Sequence, residues 1–511
     1  MEKKIESKIQ IYIRPELFDH LIYPIGVKLD DNTIIQLFRT LHYKSEIDFK
    51  ISMKEWINRS KEIGITETEA NILFKTYKIF DSDNPEYTNS INSRYESSNN
   101  KNSVDVRFFG LFFVLQTYAQ RMKTSLNIDK GDKSPTYFSS PLSSPRGKSS
   151  NSFRNQNAGL EYQIYVNFIK TNLNLILRII ASDIHNTETT LNVNEFNILK
   201  FLFMTDDEGN KHNNNINNNT NVKKNTLSSY THFFDNLPIV TKIKMNIIKE
   251  FLLNVISTDP PEKSNYIKIK HLSKCVTIKN QNDFINKNIL ITQCEDSFIY
   301  INTQIINCKI SHCTNCTIVI AVINKIITID KCEKCNISFI SNFTRISNMI
   351  DSNIYLYCVS EPILFGDNRG LSLGPHNVIY TELYIHVKNS KILITHQGIK
   401  NYASAINLNN KKEIKIISPD EFSIIVVPFE NKEQFGYKLT PKIYIEAIEK
   451  KYETYNKIKN MIKNSGLSEK KEKKFHSAIQ GYFREWLVTS GNFKTMNNIV
   501  KMIDSPFFNL K

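Results

Sequence analysis

The sequence predicts an α+β multidomain protein in which a helical N-terminal region precedes a parallel β-solenoid and a C-terminal helical hairpin. Three observations carry this reading. Apolar residues recur at three- and four-residue spacing through most of the first half. In the second half, cysteines followed by short β-branched runs recur every 19 residues. Two Lys- and Glu-rich stretches with Gly466 between them follow. At 511 residues the chain can bury several cores.

The helical region is expected over 1–258. The segments 51–80, 104–127 and 160–182 are too long for strands, and the pattern continues through "VNEFNILKFLFM" and "LPIVTKIKMNIIKEFLLNVIS". Polar segments near 85–104, 128–158 and 207–228 interrupt it. Their Asn, Ser, Pro and Lys content buries too little apolar area to offset ordering entropy, so they are expected to be disordered insertions. The middle one carries Ser-Pro steps at Ser134, Ser140 and Ser144, which are candidate phosphorylation sites.

After "DPPEKSN" (259–265) the chain changes to short β-branched runs between turn residues, and the solenoid is expected over 264–430. Cys294-x-x-Ser297 precedes "FIYI", Cys313-x-x-Cys316 precedes "TIVIAV", and Cys332-x-x-Cys335 precedes "NISFI". A fixed period near 20 stacks equivalent residues of successive coils about 4.8 Å apart. Cys294, Cys313 and Cys332 then form a ladder of small, readily buried side chains at one corner. The two Cys-x-x-Cys pairs also have the spacing of a four-cysteine zinc site. A third cysteine in register outside the pairs favours the ladder, and no metal is expected.

The tail, 431–511, is expected to form the hairpin, with Gly466 at the turn and Gly491 as the stop. Tyr482 and Trp486 lie four apart and are expected to be buried on one face.

The formal charge of +15 comes from 66 basic against 51 acidic residues, and only 12 of the basic residues are arginine. Lysine is spread along the chain, with no basic patch interleaved with aromatics, so nucleic-acid binding is not expected. No apolar run reaches the ~20 residues needed to cross a bilayer. The N-terminus lacks the apolar stretch of a secretory signal, so an intracellular protein with reduced cysteines is expected. "GDNRGLSLGP" (366–375) matches no nucleotide motif and is read as tight turns, and no cofactor is expected.

"EDSFIYI", "EPILFGDNRGLSLGPHNVIY", "FSIIVVPFE" and "GYFREWLVTSGN", together with the Trp56 region and "YKIFDS", resemble the tubulin-binding cofactor C domain-containing protein 1 family. The resemblance implies a cofactor C-like domain, a right-handed parallel β-helix. Tubulin cofactor C and the retinitis pigmentosa 2 protein, in the wider family, activate GTP hydrolysis by tubulin and Arf-like GTPases through Gln-x-Arg, the arginine acting as a finger. Laid on the cofactor C pattern "CQQLRIH", "SNFTRIS" (341–347) puts Arg345 at the finger and Phe343 at the glutamine. With Thr344 and Ile346 pointing inward, Phe343, Arg345 and Ser347 share the outer face and are expected to be accessible partner-binding candidates.

The branch resembled is associated with centrosomes, basal bodies and the placement of the Golgi and nucleus, and is not thought to activate GTPases. The resemblance therefore implies a non-enzymatic cytoskeletal adaptor located at the centrosome, microtubule organising centre or spindle pole and acting in organelle positioning and cell shape. Its partners would be proteins of the centrosome or microtubule cytoskeleton, tubulin or an Arf-like GTPase among them. The alternative is a GTPase-activating protein using Arg345.

Overall fold

The computed structural model describes residues 10–27, 29–44, 49–80, 103–127, 152–181, 190–205, 227, 242–261, 266–279, 284–390, 392–408, 414–425, 427–428, 439–464 and 468–489. The chain divides into two compact units, Met1–Tyr266 and Ile267–Lys511.

In the first unit the segment expected to be one helix over 51–80 is a strand and two helices, Lys50–Ser52, Met53–Glu62 and Glu67–Phe80. Ser52 and Glu55 form a capping box that starts the first helix, and Gly64, at φ +82°, turns the chain before the second. The helix Val106–Asn127 is apolar around much of its circumference and is buried through Leu115. Trp56 packs edge-on against its Phe109 and Phe113, at 4.8 and 5.4 Å, and donates Nε1–H to the Ala70 carbonyl. Gln116, buried on the same helix, accepts from the Tyr23 amide and donates to the Leu21 carbonyl, satisfying a non-regular segment that would otherwise bury open backbone groups.

Three short antiparallel pairs were not expected: Ile11–Ile13 with Phe203–Thr205, Lys50–Ser52 with Ser103–Asp105, and Thr190–Leu191 with Ile243–Lys244. Strands of two or three residues are too short to show a period of two. The expected insertions also shrink. Ser103–Asp105 is a strand, Ser152–Thr171 is a helix that starts inside 128–158, and Leu227 is buried. Ser134, Ser140, Ser144 and the asparagine tract lie outside the described residues.

The second unit holds the parallel β-solenoid. Coils enter their first face at Val276, Phe298, Thr317, Asn336, Asn353 and Ser372, each strand pairing in parallel with the one before. The strands Thr317–Asp330 and Asn336–Ser347 run across more than one face, with register breaks at Ile320/Ile323 and Ile323/Ile326 where the coil bends. Ile299, Ile318, Ile337, Ile354 and Leu373 stack in one interior column, and Ile291, Ile310, Ile329, Ile346 and Leu364 in another, all fully buried. This is the interior that the 19-residue period encodes.

Corner geometry is set by two columns of left-handed residues. His271, Gln293, His312, Lys331 and Asn348 have φ between 52° and 56°, as do Lys274, Asp296, Asn315, Lys334 and Asp351 between 45° and 52°. Each pair brackets the corner dipeptide of its coil, so the backbone enters the left-handed region twice within four residues. The final coil uses glycine in both columns, Gly366 at φ +71° in the first and Gly370 at φ +63° in the second.

Two helices interrupt the solenoid where none was expected, Leu383–Ser390 and His396–Lys400. The first, "LYIHVKNS", is β-branched enough to read as a strand. It becomes a helix that covers the outer face of Tyr300, Val319, Ile340 and Tyr357 with Leu383 and Val387. The chain then returns as Ile406–Asn407 and Lys415–Ile416, in register with Ile363 and Ser372.

The C-terminal segment is helical over Lys442–Asn464 and Glu469–Thr489. The first three turns of the former close the open end of the solenoid. Tyr444 packs edge-on against Phe422 at 5.0 Å and donates to the Ile417 carbonyl at 2.7 Å, and Lys451 Nζ donates to the Asp420 and Phe422 carbonyls. A solenoid end needs such a cap, because its last coil has no neighbour to cover the apolar interior. Tyr482 and Trp486, expected to be buried, are 80% and 54% exposed.

Candidate functional site

The cysteine corner forms two columns rather than one. Cys294, Cys313 and Cys332 stack directly and are followed by Met349. Cys275, Ser297, Cys316, Cys335 and Ser352 form the second column, three residues further along each coil. All except Cys275 are buried.

Sulfurs in the columns donate to carbonyls two residues back, Cys313 to Ser311 at 3.4 Å, Cys316 to Thr314 at 3.3 Å and Cys332 to Asp330 at 3.4 Å. Each coil therefore satisfies its own thiols. Side-chain interactions with the Cys313 and Cys335 sulfurs, on the donor side, followed by burial, push the Cys332 thiol up. Burial alone does the same for Cys358, and chiefly for Cys308. Cys313 and Cys335 accept hydrogen bonds from neighbouring sulfurs, which lowers them against their burial; in this apolar interior we take the neutral thiol as the retained form. Neutral, enclosed thiols are poor nucleophiles and poor metal ligands. Among the described residues no cluster of three or more His, Cys, Asp or Glu side chains is placed to hold a metal ion.

The strand Asn336–Ser347 places Phe343, Arg345 and Ser347 on its outward side. Thr344 points inward, where its hydroxyl meets Ser341 at 2.8 Å and donates to Cys358 Sγ at 3.3 Å, and Ile346 joins the interior column. The alternation read from the sequence is thus present, but accessibility is not. Arg345 is 4% exposed, and Phe343 and Ser347 are buried as well.

The covering is visible in part. The Arg345 guanidinium lies over the Phe365 ring of the next coil, 5.2 Å from its centroid. Register places Arg345 between Thr328 and Ile363, and Ser347 between Asp330 and Phe365. Ser347 Oγ donates to Asp330 Oδ1 at 2.7 Å, and Asn348 Nδ2 donates to the same oxygen. Parity fixes which side a residue takes; the neighbouring coil decides whether that side meets solvent.

Chemically, a planar cation stacked on an aromatic ring beside a polar ladder can hold adjacent coils together or contact a partner at its edge. To reach a phosphoryl group it would have to leave the ring. Lys325, at the preceding bend, is also buried, and no motif or spacing in the sequence distinguishes it from the many other lysines. The face expected to be buried through Tyr482 and Trp486 is exposed, and with Phe475 and Ile479 it has the alternating four- and three-residue spacing of an unpartnered helix seam.

Residues 286–403 match the family model described as Tubulin binding cofactor C, so the solenoid carries a domain of that type. The chain is similar to TBCC domain-containing protein 1 of Xenopus tropicalis, 21% identical over 285 residues, covering 55% of this chain and 50% of that protein. It is 20% identical to the Gallus gallus protein of the same name over 249 residues, 47% of this chain and 44% of that one. The Homo sapiens protein is 18% identical over 244 residues, with the same two coverages. The chain thus spans about half the length of the curated relatives it matches. These matches agree with the family resemblance carried by the solenoid motifs. No described helix is long and apolar enough to cross a membrane.

Proposed function

We propose that this chain is a non-enzymatic cytoskeletal adaptor of the TBCC domain-containing type, acting at the centrosome or basal body in organelle positioning and cell shape. The observation that carries the non-catalytic part is the state of Arg345. An arginine finger accelerates hydrolysis by roughly 10³ to 10⁵ because its guanidinium enters the developing phosphoryl charge. Here the group is packed on Phe365, and Phe343 stands where the family has a polar glutamine. A cation so engaged braces the solenoid instead of reaching outward.

The cytoskeletal part rests on likeness to relatives named for the tubulin cofactor C domain. Imaging the tagged full-length chain against a centrosome marker tests it, and a diffuse signal counts against the adaptor reading. The second reading, a GTPase-activating protein for tubulin or an Arf-like GTPase, is favoured by one observation, that an arginine occupies the finger position. Catalytic amounts of the chain should leave GTP hydrolysis by either substrate unchanged. A tenfold acceleration that vanishes in Arg345→Ala and is not recovered in Arg345→Lys overturns the adaptor reading.

A further inference from the structure

We propose that the helices Lys442–Asn464 and Glu469–Thr489 form a self-association surface, through which two copies of this chain pair as a bundle of four tail helices. The starting observation is exposed apolar surface that is organised rather than scattered. Phe475, Ile479, Tyr482 and Trp486 fall on one side of the second helix and are all solvent-exposed. On the first helix, Tyr452 and Tyr455 are exposed in the same way. Isolated exposed apolar residues need no explanation, but a seam at this spacing does.

The first helix is already anchored on one apolar face. Tyr444 and Ile448 cap the solenoid, and Tyr452 and Tyr455 continue the row one and two turns beyond Ile448. The exposed seam therefore extends an existing interface and is held at a fixed angle where it leaves the solenoid. Two helices of 23 and 21 residues, each with one unfilled seam, are half of a four-helix bundle.

Area supports a copy of the same chain as the occupant. Taking ~150–250 Å² for each side chain and the fractions exposed, the six seam residues offer about 500–850 Å² per copy. A specific interface needs about 800 Å² per partner, and patches on stable monomers reach only about 300–600 Å². Two-fold pairing brings each seam against an equivalent one.

Charge gives the pairing a signature. Residues 442–489 contain eleven Lys or Arg and six Asp or Glu, so two tails repel each other with a net +5 each. On the second helix, however, Lys473 and Arg484 lie nine residues from Tyr482 and Phe475, two and a half turns away and on the opposite side. Between Phe475 and Trp486 the seam carries no charge, Lys471 and Lys459 standing at the ends of the two apolar rows, so the repulsion acts at the ends and across the outside of the bundle, where salt screens it. An acidic partner would bind a cationic face and weaken with salt; a second copy joined through the seam tightens with salt. This inference is independent of the adaptor reading, although pairing would double the valency of an adaptor.

The test is the mass of the full chain by sedimentation equilibrium between 0.1 and 50 μM, at low and at high salt. Twice the 59.4 kDa chain mass is expected at the upper concentrations, with at least a threefold tighter dissociation constant at high salt. Tyr482→Glu combined with Trp486→Glu should return the single-chain mass, with a melting curve that matches the wild type at concentrations below its dissociation constant, because both side chains are exposed in the single chain. Lys473→Glu, on the other side of the helix, should remain a dimer. A single-chain mass throughout overturns the proposal, as does a dimer that survives the double substitution or loosens with salt. Binding to anionic phosphatidylserine vesicles, or to an acidic protein, by a chain that stays monomeric also overturns it.

Discussion

Cys313→Ser separates the two accounts of the paired cysteines most sharply. Cys313 is fully buried, with Cys294 and Cys332 stacked below and above it, and its Sγ donates to the Ser311 carbonyl at 3.4 Å. A serine hydroxyl keeps that donor within reach but puts a more polar, smaller atom against two sulfurs. Burying a hydroxyl costs roughly 1–3 kcal/mol in protein cores, and the retained hydrogen bond places this site at about 1–2 kcal/mol. In the unit spanning Ile267–Lys511 a change of that size lowers the melting temperature by ~2–8 °C. If the same cysteine were a zinc ligand, structural zinc would be supplying on the order of 10–16 kcal/mol to folding. The assay is a thermal melt of wild type and variant, each with and without a strong chelator, beside elemental analysis of the purified chain. The expected outcome is a modest shift in the variant, no chelator effect and no stoichiometric metal. One zinc per chain that disappears in Cys313→Ser, or a melt that collapses on chelation, would refute the ladder.

Lys334, at φ 52° in the second left-handed column, should gain stability on substitution by glycine. The gain should be about 0.5–1 kcal/mol, read as a shift of the urea midpoint, and a loss instead would show that the lysine stem packs usefully. Gly398→Ala should destabilise by about 1–3 kcal/mol, because its Cβ would overlap the Tyr357 hydroxyl that donates to the Leu393 carbonyl and accepts from the Thr395 amide. An unchanged melt would mean that the helix shifts freely. Burial lowers His376 from 6.5 to about 3, so the unfolded chain binds a proton that the folded chain does not. Its stabilising contribution is complete above pH 6.5 and falls between pH 6.5 and 3 by up to about 1.4 kcal/mol per unit. His376→Gln should flatten the decline of melting temperature across that window, and identical slopes would exclude His376 as its source.

What the sequence determined is what repeats. Inward isoleucines one coil apart, cysteines at 19-residue spacing and β-branched runs between polar corners leave one economical arrangement, because only stacked coils bury every equivalent face. Strand parity was equally legible, which is why the alternation of inward and outward residues suffices to assign Arg345 and Phe343 to the outward side. The left-handed corners of most coils were not, since His, Gln, Lys, Asn and Asp fill them, and only in the last coil do glycines, Gly366 and Gly370, announce such a backbone. Solvent exposure was not legible either, because it depends on residues distant in sequence. Phe365, 20 residues on, covers Arg345, and Tyr444 spends the apolar face of its helix on capping the solenoid. Tyr482 and Trp486, which share a face on the following helix, are left in solvent. Local pattern fixes the direction in which a side chain points, while only the tertiary fold decides what stands there to meet it.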